Sequence, residues 1–281
     1  MKILSDKRVK WGQERQAEQF QGLQLAHPTA AASKYEEQLS SMIEAMLKDY
    51  DRALTRRASA VTQDESIVTT MARVFRELGK KWASRFAERS TELTDGLVGR
   101  VDAFSKKTLG NSLRELSGGL TIKTPDMPHG LYDRLLATTR ENVGLIKSIP
   151  AQYHERIEQT VMRSIQTGGT GSQALMEEIR KIGHSTEKRA NLIAVDQASK
   201  LNTAMNDERL KAVGVRKFEW IHSGGGKEPR ELHVHYHGQI FDMDDPPVID
   251  ERTGERGLPG QLIKCRCRMK PIVDFSQYLE S

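Results

Sequence analysis

The sequence predicts an α+β protein, with a long N-terminal helical region followed by a small β-rich C-terminal module. Proline is absent from residue 29 to residue 124, whereas five of the nine prolines follow Gly214. Helix-compatible sequence therefore gives way to turn-rich sequence near that glycine. Of the 281 residues, 37% are hydrophobic, 6% aromatic and 29% charged, which is typical of long solvated helices.

The distribution of prolines and glycines divides the chain into three regions: 1–130, 131–213 and 214–281. In the first region, apolar residues recur with helical spacing and predict helices over 33–57, 63–92 and 99–115. The glycines and prolines of the stretch that follows predict a loop before residue 131. The apolar stripes of the helices either pack on one another or offer binding surfaces to other proteins.

The second region is predicted to hold four helices, the first of which begins at residue 131. Ser148 and Pro150 supply the N-cap and the early-turn proline of the next one. Thr170 begins a short helix, and Gly183 suits the position just beyond its end. Ser185 then begins a long helix that ends near residue 212.

The third region contains short runs of β-forming residues between turns rich in glycine, proline and acidic residues. The predicted strands are Val215 to Ile221, Leu232 to Phe241 and Leu262 to Val273. So few short strands bury too little surface to be stable alone, so the module is expected to pack on the long helix before it.

The net charge of +5 comes from the N-terminal three quarters of the chain. The first 212 residues hold 33 basic and 27 acidic side chains, and the remainder holds 10 and 11. This excess is too small to indicate a dedicated nucleic-acid-binding protein. No apolar run reaches the roughly 18 residues of a membrane span, and no signal peptide is evident, so membrane insertion and export are not expected.

Contact with a polyanion is therefore sought in the N-terminal part. Pairs of basic residues there could neutralise phosphates if DNA lay alongside the helices, or they could form solvated helix faces. The pairs are Lys7–Arg8, Arg56–Arg57, Lys80–Lys81, Lys106–Lys107 and Lys188–Arg189.

The side chains most able to bind a metal ion or to catalyse a reaction are concentrated in the C-terminal module. In a strand, residues with a spacing of two share a face, so His233, His235 and His237 are expected to lie together. Cys265 and Cys267 are the only cysteines and have the same spacing. Two cysteines form no disulfide framework and suit a reducing compartment.

A structural zinc ion is one interpretation of these residues. His233, His235, Cys265 and Cys267 provide the two imidazoles and two thiolates of a tetrahedral site. Cys-x-Cys is not the usual zinc spacing, however, and cysteine also behaves as a small buried hydrophobe. The histidine face could equally be solvated, hydrogen-bonded within the protein, or in contact with nucleic acid.

An enzymatic interpretation makes the three histidines a catalytic metal centre for phosphodiester hydrolysis. Asp242, Asp244 and Asp245 would be its carboxylate partners. These aspartates directly precede Pro246 and Pro247, where a solvated turn is the ordinary explanation. The sequence has no serine-hydrolase elbow, Walker or kinase motif.

The order of several C-terminal motifs resembles the Mu F-like family of phage head morphogenesis, or minor capsid, proteins. The similarity spans about residues 150 to 273, from the helix around Arg189–Gln197 onward, and leaves the first 130 residues outside it. The residues that carry it are Trp220, Arg230, His233, Gly238, Pro259, Gly260, Cys265 and Cys267. Because the family pattern needs only the first of the three histidines, His235 and His237 are local variation in this comparison.

The resemblance implies a minor structural protein of a phage head with no catalytic residues. It implies action in capsid assembly near the portal, with the portal protein and the major capsid or scaffolding protein as partners. Packaged double-stranded DNA is a further implied contact, and membrane is not. The implied location is the virion, in the head interior or at the portal vertex, after assembly in the host cytoplasm.

Two other functions remain open on the sequence. One is a metal-dependent nuclease or toxin-like effector carried with the phage head, which would need the histidines for activity. The other is an independent DNA-binding protein, whose affinity would fall steeply with salt.

Overall fold

Four long helices are followed by a set of short strands, and the α+β prediction is confirmed. The computed structural model describes residues 19–58, 66–167, 172–224 and 229–274. Within these residues, no helix has an apolar stretch long enough to pass through a lipid bilayer. The helices are α1 (Thr29–Ala58), α2 (Ile67–Leu116), α3 (Leu131–Gln166), α4 (Ser172–Ala212) and the short α5 (Glu231–His235). The strands are β1 (Gln19–Gln21), β2 (Lys217–Ile221), β3 (Ile240–Asp242), β4 (Val248–Asp250), β5 (Glu255–Arg256) and β6 (Arg268–Asp274).

Helices α1 to α4 pack on one another around one apolar core. In α1, Tyr35, Leu39, Ile43 and Met46 are fully buried, and their spacing of three or four residues places them on one face. The other three helices contribute matching stripes to the same core. The apolar stripes of the helices are therefore buried inside the bundle, as in the first of the two interpretations of the sequence.

The two predicted helices 63–92 and 99–115 are one helix of 50 residues, α2. Gly96 lies between them and Gly99 at the start of the second, and each weakens a helix by about 1 kcal/mol relative to alanine. The buried side chains of Leu93, Leu97 and Val101 continue the apolar stripe across this point. Burying one leucine or valine contributes about 1.5–3 kcal/mol, which outweighs the glycine penalty.

The predicted break before Pro150 is also absent, because α3 runs through this proline. Ile146, Ile149, Tyr153 and Ile157 are buried on both sides of it. The prediction from Ser148 and Pro150 was wrong because it weighed local signals without the packing of α3 on α2 and α4. A continuous buried stripe keeps the helix intact across a residue that lacks a backbone donor.

Helix α4 likewise continues through Gly183, which the sequence placed beyond a helix end. A Cβ atom on this glycine would lie 3.2 Å from Leu47 Cδ1 of α1. Gly183 is therefore a point of close helix packing and not a C-terminal cap. Thr170, predicted to begin the preceding short helix, lies outside the described residues.

The main sheet has four antiparallel strands in the order β1-β6-β2-β3, and β4 pairs with β5 in a separate ribbon. Strand β1 comes from the N-terminal end of the described chain and pairs with β6, so that Phe20 lies opposite Val273. Beyond the strand, the Leu25 N–H donates to the Met269 carbonyl. No local sequence pattern indicates this pairing, because it joins residues 251 to 255 positions apart.

Two of the three predicted strands have wrong boundaries. Residues 232 to 241 form α5, a turn and only then β3, because His233 and Tyr236, with helical spacing, both pack on Trp220. Residues 262 to 267 are a turn segment that precedes β6. The third strand, β2, lies within its predicted range.

The sheet covers a second apolar core at one end of the bundle. Phe218, Trp220 and Met269 from the strands join Leu210 of α4 in this core, as expected from the need to bury the sheet. Leu109 and Leu113 of α2 belong to it as well. The module is thus anchored to two helices and to the N-terminal segment.

A buried polar network ties α2 to α4 between the two cores. Arg209 is fully buried, and its guanidinium donates to the Asp102 carboxylate, to Ser105 Oγ at 2.8 Å and to the Asp126 carbonyl at 3.2 Å. Ser105 Oγ donates to the Asn206 side chain at 2.7 Å. Every one of these contacts joins residues more than 80 positions apart, so the network fixes the relative placement of the helices.

The Asp102→Asn variant is expected to be less stable than the wild type at pH 7. This difference in the free energy of unfolding is expected to shrink as the pH falls. Partial burial opposes ionisation of Asp102, but hydrogen bonds from Lys106 and Arg209 outweigh it and lower the pKa of the carboxyl. The stabilisation is therefore present above the unfolded-state pKa of about 3.9 and is lost as the pH falls through the lower folded-state value. Urea denaturation between pH 7 and pH 3 measures this, with the exposed Asp95→Asn of α2 as the control. An equal difference between wild type and Asp102→Asn at every pH would contradict it.

Candidate metal centre and adjoining cleft

Three buried side chains converge at the junction of the module with α4: His233, Cys265 and Cys267. His233 Nδ1 lies 3.5 Å from Cys265 Sγ and 3.7 Å from Cys267 Sγ. All three candidate ligand atoms lie within 4.8 Å of one another. Among the described residues, this is the one group of three or more such side chains close enough to hold a single metal ion.

Helix α5 sets the orientation of His233. Its ring packs edge-on against Trp220, with 5.0 Å between the ring centroids. Its Nε2 lies 3.0 Å from the Ile249 carbonyl, which can only accept, so Nε2 carries the proton. In the neutral ring, Nδ1 then holds the lone pair, and this atom lies beside the two sulfur atoms.

The cysteines lie in the turn segment before β6, which α4 and the N-terminal segment hold in place. Lys264 adopts a positive φ of 61°, and its backbone N–H donates to Asp196 Oδ1 of α4 at 2.9 Å. On the other side, His27 Nε2 lies 2.8 Å from the Arg266 carbonyl. Burial raises the pKa of Asp196 and lowers that of His27, in each case the effect of desolvation on the charged form.

The two thiols share one environment and do not ionise independently. The pKa of Cys265 is lowered, chiefly because Cys267 and then His233 hydrogen-bond its sulfur. The pKa of Cys267 is raised, because its thiol donates to Cys265 and because it is buried beside that sulfur. The pair therefore holds one thiolate readily, and a second one needs a positive charge at the site.

Several neighbouring N–H groups lower the pKa values of these thiols. The backbone N–H groups of Gly260 and Cys267 favour the thiolate of Cys265. The Trp220 side chain and the Ser223 N–H favour that of Cys267. Trp220 Nε1 is buried and has no hydrogen-bond acceptor of regular geometry among the described residues, so an ionised sulfur is the acceptor that suits its position.

Pro259 and Gly260 bring the cysteine segment against α4. The Thr203 hydroxyl of α4 donates to the Pro259 carbonyl at 2.9 Å. Gly260 has a φ of 88°, and a Cβ atom there would lie 2.8 Å from Ser199 Oγ. Only glycine combines this backbone conformation with so close an approach.

The other residues of the family pattern hold the module together. Trp220 lies in its core, and its backbone carbonyl accepts from the Gly238 N–H at 2.8 Å. Gly238 has a φ of 82° after the end of α5. The Arg230 guanidinium donates to the Ile263 carbonyl at 2.9 Å, which links the start of α5 to the cysteine segment.

The three histidines do not share a face, which corrects the expectation drawn from strand geometry. His233 is buried, whereas His235 and His237 are exposed. In a helix, residues two apart point about 200° away from each other, so α5 separates what a strand would have aligned. His235, predicted as a metal ligand, lies outside the cluster formed by His233 and the cysteines.

The acidic residues after β3 also have other partners. Asp244 pairs with Lys211 and Arg216, and Asp245 with Arg256. Asp242 accepts the backbone N–H of Asp244 in a turn. They are not in the described cluster with His233, so the predicted histidine–aspartate centre does not form.

A cleft of about 1090 Å³ opens beside the three residues, between α4 and the module. His233, Cys265 and Cys267 line its module side, and Asp196 lines the helix side. The lining also includes five basic side chains: Lys188, Arg189, Arg230, Lys264 and Arg266. Their excess over the acidic lining favours anionic groups in the cleft.

Sequence reasoning missed Asp196, Lys264 and His27 as parts of this site. A polar residue among the apolar positions of α4 is the signal that could have indicated Asp196. The roles of the other two depend on a positive φ and on a contact across 239 positions, and neither leaves a local pattern.

The part of the chain that contains this site is similar to known proteins. A family model described as Phage Mu protein F like protein matches residues 155–270. An uncharacterized protein of Haemophilus influenzae is 30% identical over 250 residues, which are 87% of this chain and 54% of the relative. Uncharacterized protein YqbB of Bacillus subtilis is 22% identical over 200 residues, 67% of this chain and 62% of the relative. The chain thus spans between half and two thirds of these relatives, and no solved structure matches it significantly.

Proposed function

Because residues 155–270 belong to the phage Mu F-like family, we propose that the protein acts in phage head morphogenesis as a minor structural component of the head. In this proposal it joins the portal vertex during capsid assembly and contacts the portal protein and the capsid or scaffolding subunits. The family match is the observation that carries it.

The roles of the family residues support a structural function. Pro259 and Gly260 dock the cysteine segment on α4, Arg230 fixes α5 to that segment, and Trp220 fills the module core. Each contact stabilises the arrangement of module and bundle. None of these residues needs a substrate to explain its position.

The basic pairs give little support to DNA contact. Lys81 pairs with Asp49, Lys106 pairs with Asp102 and Asp126, and Arg189 donates to Ser148 Oγ. Lys7–Arg8 lies outside the described residues. Packaged DNA stays a prediction drawn from the family resemblance, and the proposed structural role does not depend on it.

The test is incorporation into heads. Mass spectrometry of purified heads from the encoding phage or prophage is expected to detect the chain, protected from added protease. Deleting its gene is expected to reduce infectious particles, and supplying the full chain in trans is expected to restore them. Purified heads without the chain, together with normal particle yield after deletion, would contradict the proposal.

The double variant His235→Ala/His237→Ala separates this function from that of a nuclease built on three histidines. Both side chains are exposed and outside the buried cluster, so the variant is expected to incorporate and to complement fully. Under the nuclease alternative, it would incorporate but fail to complement.

A further inference from the structure

We infer that His233, Cys265 and Cys267 bind one zinc ion, through Nδ1 and the two Sγ atoms. The inference rests on the geometry of the isolated chain and does not depend on the proposed role in phage heads. It replaces the ligand set expected from sequence, in which His235 was the second histidine.

The distances fit the edges of a zinc tetrahedron. With Zn–S bonds of about 2.3 Å and Zn–N bonds of about 2.0–2.1 Å, tetrahedral angles place sulfur and nitrogen about 3.6 Å apart. His233 Nδ1 lies 3.5 Å from one sulfur and 3.7 Å from the other. Two of the three edges therefore match a zinc tetrahedron, and the third, between the two sulfur atoms, is no longer than 4.8 Å.

The histidine ring is oriented as a metal ligand requires. Metal-ligating histidines usually donate their other ring N–H to a carbonyl or carboxylate, which fixes the tautomer and the ring orientation. His233 makes this contact with the Ile249 carbonyl at 3.0 Å. Its single lone pair at Nδ1 faces two sulfur atoms, and it can accept from only one S–H group at a time.

The surroundings of the sulfur atoms favour thiolates over two neutral thiols. The buried Trp220 Nε1–H has no hydrogen-bond partner among the described residues, and the Trp220 ring packs on His233 beside these two sulfur atoms. A thiolate is a better acceptor for this donor than a neutral thiol, because neutral sulfur accepts only weakly. Two buried thiolates are costly without a compensating cation. A divalent ion held by two thiolates and a neutral imidazole has a net charge of zero.

The ion would serve as a structural clip between α5 and the segment that leads into β6. Helix α5 has only five residues and cannot be stable by itself. The three ligands come from two segments 32 or 34 positions apart, so the bond network closes this loop. All three residues line the cleft, so the fourth position of the tetrahedron is left for a ligand that enters from the cleft, unlike structural sites closed by four protein ligands.

The experiment uses the full chain purified under reducing conditions. Metal analysis of the wild type is expected to give about one zinc per chain. After chelation, added Co²⁺ is expected to produce a cobalt–thiolate charge-transfer band and strong visible bands of a tetrahedral site. Circular dichroism before and after chelation reports whether the helical bundle remains folded.

Variants assign the ligands. His233→Ala, Cys265→Ala and Cys267→Ala are each expected to reduce bound zinc to less than about one tenth of an equivalent. His235→Ala, two residues from His233 and exposed, is the matched control and is expected to retain the full equivalent. If a ligand variant fails to fold, the cobalt spectrum of the wild type still shows whether the thiolates bind a metal ion.

Two results would overturn the inference. One is a folded wild-type chain that takes up neither zinc nor Co²⁺ after supplementation. The other is equal loss of metal in His235→Ala and His233→Ala. Metal content is measured without phage particles, so failure here is distinguishable from failure of the proposed head function.

Discussion

Arg209→Ala is expected to lower the free energy of unfolding by about 3 kcal/mol. The guanidinium is fully buried and donates to Asp102, Ser105 and the Asp126 carbonyl. Its removal takes a donor from all three acceptors, of which Asp102 keeps Lys106, and opens a cavity between α2 and α4. Urea or thermal denaturation followed by circular dichroism measures the loss.

Two further variants separate the causes of this effect. Arg180→Ala removes an exposed arginine from the same helix and is expected to change stability by less than about 0.5 kcal/mol. Arg209→Met restores much of the side-chain volume and is expected to recover part of the loss, because an apolar group fills the cavity. An unchanged free energy of unfolding in Arg209→Ala would show that the network does not stabilise the bundle.

Gly260→Ala is expected to destabilise the module by about 3 kcal/mol. A φ of 88° strains any residue with a Cβ atom, and that atom would lie 2.8 Å from Ser199 Oγ and 3.0 Å from Thr203 Oγ1. The cysteine segment would have to move away from α4. Denaturation monitored by tryptophan fluorescence is suited to this variant, since Trp220 lies in the module core.

Gly254→Ala is the matched control for backbone strain. Gly254 has a φ of 70° with no atom within 4 Å of an added Cβ, so the loss is expected to be only about 1 kcal/mol. Ser199→Ala, in the background of Gly260→Ala, is expected to recover part of the stability, because the Ser199 hydroxyl makes no hydrogen bond among the described residues. Equal losses in Gly254→Ala and Gly260→Ala would contradict the proposed close approach.

The positions of the helices could be predicted from sequence much better than their ends. The spacing of buried residues such as Leu39, Ile43 and Met46 indicates the apolar face of α1 directly. Pro150 and Gly183 suggested helix boundaries that do not exist. Each such residue destabilises the helix by about 1–3 kcal/mol. Every apolar side chain buried along the helix stabilises it by a similar amount, so several buried side chains outweigh one glycine or proline.

The candidate site was predictable in its residue types but not in its geometry. His233, Cys265 and Cys267 are conspicuous in the sequence, and the structure brings them together. Their alternating spacing indicated strands, yet both segments are non-strand and His235 points away. Contacts with Trp220 and Ile249 decide this orientation, and they are formed by other parts of the chain.

The amino-acid sequence by itself determined the α+β class, the change of architecture near Gly214 and the small set of residues with metal-binding chemistry. These depend on composition, periodicity and turn residues, which are local properties. Only the tertiary structure decided that α2, α3 and α4 are continuous, that β1 completes the C-terminal sheet and that one histidine of three faces the cysteines. The physical reason is that burial and long-range hydrogen bonding act between distant segments and exceed the local preferences that a sequence pattern records.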